Sequence, residues 1–160
     1  MEKERITVEE LLRRYAAGDR DFRHIILEYA DLSGVELQNI DLTSAQFNYV
    51  NLSGINLNMC KLRSAQFWYC NFTDAKIYNS DLESTRFFDC DLRGANTSAT
   101  CNLTCTRFTR VNFQGAKLGG TGEDPCEFRD VIRQDGVFIS GFTSNLYRSS
   151  YKANTDNTVS

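Results

Sequence analysis

A stack of repeated units wound along one axis, with no single globular core, is the fold class the sequence predicts. Three observations carry it. The stretch SAQFNYVN at 44–51 returns twenty residues later as SAQFWYCN at 64–71, then as STRFFDCD at 84–91 and, one residue late, as CTRFTRVN at 105–112. Inside that period runs a stricter one of five, with large apolar residues at Phe22, Leu27, Leu32, Leu37, Leu42, Phe47, Leu52, Leu57, Leu62, Phe67, Phe72, Ile77, Leu82, Phe87 and Leu92. From residue 30 onward a smaller residue sits two places before each of these centres, as at Ala30, Ala45, Cys60, Ala65, Cys70, Ala75, Cys90 and Ala95. Neither a helix nor a strand has a period of five. Self-similarity at a fixed spacing means units that stack on their neighbours.

Between the small residue and the centre lies a polar residue, most often Asp or Asn, as at Asp31, Asp41, Asn51, Asn71 and Asp91. Units such as ADLSG, VNLSG and CDLRG therefore closely resemble the pentapeptide repeat family, of the kind found in cyanobacteria, over about 27–118. The resemblance implies an all-β fold, a right-handed quadrilateral parallel β-helix of about five coils. Each five-residue unit makes one side and four sides make a coil. With the centre and the small residue pointing inward, the tube fills itself. Residues twenty apart then stack about 4.8 Å apart, which puts Leu27, Phe47, Phe67, Phe87 and Phe108 in one inward column. Well-placed ring pairs in such a column add roughly 0.5–1.5 kcal/mol each beyond their burial.

Residues 1–19 read as an N-terminal α-helical cap. Thr7 and Glu10 have the spacing of a capping box, Ile6 and Leu11 that of a hydrophobic staple, and Gly18 supplies a stop. Val8, Leu11, Leu12, Tyr15 and Ala16 form one apolar stripe. A helix over about 8–17 is thus expected to cover the first coil, whose bare backbone edges would otherwise invite aggregation. Residues 20–118 form the repeat shaft. Its rule breaks once, in GANTSATCNLTC at 94–105, where Thr97 occupies a centre and the frame resumes late at Leu103, Phe108, Phe113 and Leu118. That predicts a one-residue bulge near 97–101.

The closing segment, 119–140, supports two readings. One is a helix with Asp124 as N-cap, Pro125 at the first position, and Phe128, Val131 and Ile132 on one side. The other is a pair of strands around the turn Asp135-Gly136, with Val137, Phe138 and Ile139 following it. Phe128 lies twenty after Phe108, and a Phe followed by Asp-Gly resembles how family members close. Both favour strands. The polar stretch 141–160 reads as a flexible tail.

The chain has 160 residues, 18 basic and 21 acidic, and one proline. These numbers suit one mildly acidic domain. It holds no apolar run long enough to span a bilayer, and its start, MEKERITVEELL, lacks a signal peptide's apolar stretch. A soluble, cytoplasmic protein that does not enter a membrane is expected. Cys60, Cys70, Cys90 and Cys101 fall on the small inward position and read as packing residues. Cys105 is expected to face outward and Cys126 to lie in the closing segment. His24 is the only histidine, so no His-based triad or metal set can form around it. Gly34, Gly54, Gly94 and Gly115 recur at corners of the repeat and do not make a phosphate loop. No catalytic residue, cofactor site or metal site is assigned.

Function is sought on the outward positions of the first face, the side whose inward column runs from Leu27 to Phe108. Tyr49, Trp68, Tyr69 and Phe88 lie there in adjacent coils, flanked by Arg86, Arg107 and Arg110. Aromatic rings with arginine have the composition of interface hot spots. The expectation is a non-enzymatic protein–protein interaction scaffold, a monomer or weak homodimer, with either an unidentified protein partner or the chain's own tail covering these rings. The resemblance also carries an alternative, since some family members bind DNA gyrase by imitating DNA. Duplex DNA carries about one negative charge per 1.7 Å, so five coils would want on the order of fourteen net negative charges. Residues 27–118 hold nine acidic and eight basic side chains, a net charge of −1. The DNA-mimic reading is disfavoured on that count, and a nucleic-acid ligand is not expected.

Overall fold

The computed structural model describes residues 2–97, 100–120 and 126–144. Within them the chain winds into a four-sided parallel β-solenoid. Pairs five residues apart trace the sides of one coil: Ile26 lies beside Gln46, Asp31 beside Asn51, Glu36 beside Asn56, and Asp41 beside Lys61. On the first side the strands are long enough to form a continuous ladder. β1 (Glu4–Arg5), β2 (Ile25–Glu28), β3 (Gln46–Asn48), β4 (Gln66–Trp68) and β5 (Arg86–Phe88) pair in parallel and in register. Past β6 (Asn96–Thr97) the same ladder continues through β7 (Arg107–Thr109) and, beyond β8 (Lys117–Leu118), through β9 (Glu127–Ile132).

The period of five has a backbone cause. Two residues after each centre the chain turns a corner with φ positive, at His24, Tyr29, Gly34, Asn39, Ser44, Tyr49 and onward at the same spacing. Just before the corner, the Asp or Asn of the unit accepts the backbone N–H two residues ahead. Ser33 donates to Asp31 at 2.8 Å, Thr43 to Asp41 at 3.0 Å and Thr73 to Asn71 at 2.9 Å. This Asx turn is why those two residue types recur in the sequence.

Every centre from Phe22 to Leu92 is buried, as are the small residues from Ile40 to Ala95. The Phe47, Phe67, Phe87, Phe108 and Phe128 rings stack at 5.0–5.2 Å, and Phe72 and Phe113 meet the column edge-on. With Leu27 these make six rungs, one more than the five expected, because β9 adds Phe128 in register with Phe108. Where the small inward residue is polar, its γ atom donates to the carbonyl of a centre in the previous coil. Ser80 reaches Leu57 O at 2.7 Å, Thr85 reaches Leu62 O at 2.7 Å, and Thr106 reaches Leu82 O at 2.8 Å. Among the described residues no buried side-chain N or O lacks a partner.

The bulge appears as a change of register. Lys76 lies beside Asn96, twenty on, but Asp81 lies beside Asn102, twenty-one on. Residues 98 and 99 lie outside the described residues. Thr97 is buried at its centre position, and its hydroxyl donates to Gly119 O at 3.2 Å. That bond satisfies the polar atom the repeat rule did not anticipate.

α1 (Val8–Ala16) covers the first coil as its pattern predicts. Thr7 caps it by accepting the Glu10 N–H at 3.2 Å, but the Glu10 carboxylate turns away to bind Arg13, so only half of the capping box forms. Gly18, at φ +97°, closes the helix with N–H bonds from Gly18 to Tyr15 O and from Asp19 to Arg14 O, a Schellman ending. Leu11 is buried in the core, with Ile6, Val8, Leu12 and Tyr15 packed around it. β1 was not anticipated. It extends the ladder by one short strand, ahead of the helix.

At the other end the helix reading fails. β9 and β10 (Phe138–Thr143) form an antiparallel hairpin around Asp135 and Gly136. The β-branched residues pair across the turn, and β9 keeps the solenoid's register, which a helix would break. Asp124 and Pro125 lie outside the described residues. β10 runs on to Thr143, into the stretch expected to be tail, and residues 145–160 lie outside the described residues.

Candidate interaction face

The outward side of the first ladder brings the predicted aromatic residues together. Tyr49 and Tyr69 occupy successive corners, with φ of 56° each, and their rings stack at 4.7 Å with planes 5° apart. Tyr29, one coil earlier, extends the stack at 5.2 Å and is 79% exposed. It had escaped the sequence reading because ILEYA does not echo SAQFNYVN. The signal was there in the bare spacing of 29, 49 and 69.

In the adjacent outward column Trp68 and Phe88 are half-buried, with centroids 4.5 Å apart and planes tilted by 46°. Phe88 also meets Tyr69 edge-on at 6.5 Å, so the five rings make one surface. The Arg110 guanidinium lies 4.0 Å over the Phe88 ring and is held there by two bonds to Asp89, at 2.6 and 2.8 Å. That carboxylate raises the Arg110 pKa above its ordinary value. Arg107 pairs with Glu127 at 2.7 Å. Arg86 is exposed and, among the described residues, has no ion-pair partner. Arg129, in the column of Phe88, is in the same condition and was not foreseen, because its strand was read as one of two possibilities.

Most of the remaining chemistry-bearing residues are taken up by packing or by ion pairs along the shaft. Cys60, Cys70, Cys90 and Cys101 are buried, Cys126 is half-buried and Cys105 is exposed. Burial pushes the Cys60 and Cys126 thiols up to about 11 and raises Cys90 and Cys101 as well. Lys61 stands 3.7 Å from Asp41, and Arg63 reaches Asp81 and Glu83 at 3.4 and 2.7 Å, so those carboxylates form an alternating ladder. Among the described residues no group of His, Cys, Asp and Glu is placed to hold a metal ion, and no helix is long and apolar enough to cross a membrane. The tube interior is filled, but the outside is not featureless. An open groove of about 600 Å³ lies beside the face, between Asp89, Arg110, Asp130 and Phe138.

Residues 20–97 match the model of a family described as pentapeptide repeat region. Among solved structures the chain is similar to HetL, a pentapeptide repeat protein involved in heterocyst differentiation regulation from the cyanobacterium Nostoc sp. strain PCC 7120. The identity is 19%, over 84% of this chain and 100% of that one, with a TM-score of 0.29. It is also similar to alr5209, a pentapeptide repeat protein from Nostoc PCC 7120, at 23% identity over 76% of this chain and 90% of that one, TM-score 0.31. A trypsin-treated variant of QnrB1, a plasmid-mediated fluoroquinolone resistance protein, matches at 18% identity over 82% of this chain and 70% of that one, TM-score 0.40. No curated protein matches the chain significantly. The family match falls on the stretch where the rule of five holds without a break, and residues 20–97 of this chain are a pentapeptide repeat region.

Proposed function

We propose that this chain is a non-enzymatic interaction scaffold, a rigid rod whose aromatic face docks a protein partner. The observation that carries it is the tyrosine ladder at Tyr29, Tyr49 and Tyr69. A non-glycine residue at positive φ costs on the order of 1 kcal/mol or more, and elsewhere the corners mostly take Gly, Asn, Asp or Ser. Ring stacking returns a comparable ~0.5–1.5 kcal/mol per pair. The ladder thus breaks about even for the fold while leaving rings in water. Tyr49 and Tyr69 remain 49% and 46% exposed. Contiguous exposed aromatic surface beside arginine suits recognition better than folding.

The reading as a DNA-mimic ligand of gyrase has less support, because the shaft's charge is close to balanced and its first face carries arginine. Asparagine tolerates positive φ. Tyr49→Asn with Tyr69→Asn therefore removes two rings without disturbing the corners. Affinity capture from the source cells should recover a protein with the native chain and lose it with this double variant. Equal recovery by both would refute the reading.

A further inference from the structure

We propose that the partner segment docking on this face is acidic, presenting carboxylates beside an apolar residue. This rests on the face being a docking site. Four arginines point outward around Phe88. Two are neutralised within the chain, Arg107 by Glu127 and Arg110 by Asp89. Arg86 and Arg129 are exposed and, among the described residues, unpaired. Arg86 leaves the same side of β5 as Phe88, two residues away, and Arg129 lies in the Phe88 column, two rungs further on through Thr109. The nearby carboxylates are already engaged: Asp89 and Glu127 hold arginines, and Asp130 accepts the Gly141 N–H at 2.7 Å. The face therefore offers two uncommitted positive charges on a chain whose net charge is −3.

Two rungs of ~4.8 Å and two residues of ~3.3 Å put the two arginine backbones about 12 Å apart. Carboxylates four residues apart on an extended segment span about the same distance. Phe88, packed between Trp68 and the Arg110 guanidinium, lies beside that line, and the part of its ring left exposed would meet an apolar side chain between them. Arginine forks match carboxylates in bidentate geometry, which gives such a segment its recognition.

The lone tryptophan, Trp68, reports directly on the face. The full chain is titrated at low salt with two random copolymers, poly(Glu,Tyr) and poly(Lys,Tyr), and with duplex DNA, while tryptophan emission is followed. The glutamate copolymer is expected to change the emission, with a midpoint weakened at least tenfold in the double variant Arg86→Glu, Arg129→Glu. Both side chains are exposed and, among the described residues, unpaired, so the variant keeps the fold. The lysine copolymer is expected to have no effect, and DNA to be weaker at equal anion concentration. A glutamate midpoint unchanged in the double variant, or DNA binding as well as the glutamate copolymer, overturns the acidic-segment proposal. A response to the lysine copolymer alone overturns the chemistry and leaves the docking face standing. Silence with both copolymers removes the proposal and the docking face together.

Discussion

Phe67 and Tyr69 are two residues apart and do opposite things. Phe67 is buried, stacked between Phe47 and Phe87 with Phe72 against its edge, whereas Tyr69 turns out at the next corner. Phe67→Ala should cost about 3–5 kcal/mol, the usual price of an aromatic cavity in a packed core. Phe88 is an outward residue and should cost less than Phe67 when truncated. It lies between Trp68 and the Arg110 guanidinium, however, and Phe88→Ala should cost about 1–2 kcal/mol through lost ring and cation–π contact. Tyr49→Asn should stay within about 0.5 kcal/mol of the native chain. Denaturant midpoints ranked in any other order would show that inside and outside are misassigned. The thiols give an independent check: Cys105 should react first with an alkylating reagent at neutral pH, and early labelling of Cys60 or Cys90 would contradict their burial.

The short elements at the two ends show what sequence signals can and cannot convey. The cap helix was legible because Thr7, Leu11 and Gly18 each act locally. β1 was not, since two residues bound to the sheet edge leave no periodic trace. A Cβ at Gly18 would meet nothing within 4 Å, so any penalty there comes from its φ of +97° alone. Gly18→Ala should therefore destabilise by about 1 kcal/mol, and so should Thr7→Ala through loss of the cap. A thermal scan in which Gly18→Ala melts with or above the native chain would argue against the Schellman ending. At the other end, Asp135-Gly136 and the in-phase Phe128 pointed to strands, while Asp124 and Pro125 made an equally local case for a helix. The ladder decided it, because a strand in register with Phe108 completes a sixth rung and a helix completes none.

For the whole molecule, the fold was legible because one rule of five residues is written again and again, and each copy specifies an inward pair and a corner. The face was only partly legible. Its rings belong to corners and outward positions, where the rule of five does not dictate an inward residue, so the spacing of 29, 49 and 69 was visible but the pairing of Arg107 with Glu127 was not. The rings from Tyr29 to Phe88 span three coil steps, about 14 Å along the rod. That is enough to anchor a partner segment but small beside the well over 1,000 Å² that a permanent dimer buries. The central claim, that this face stands open in the free chain, is tested most directly by iodide quenching of Trp68 across a range of protein concentrations. The half-buried indole should be quenched partially and to the same extent throughout. Complete protection of Trp68 at every concentration, or protection that grows to completion as the chain is concentrated, would mean that the face is already covered, by the chain itself or by a second copy.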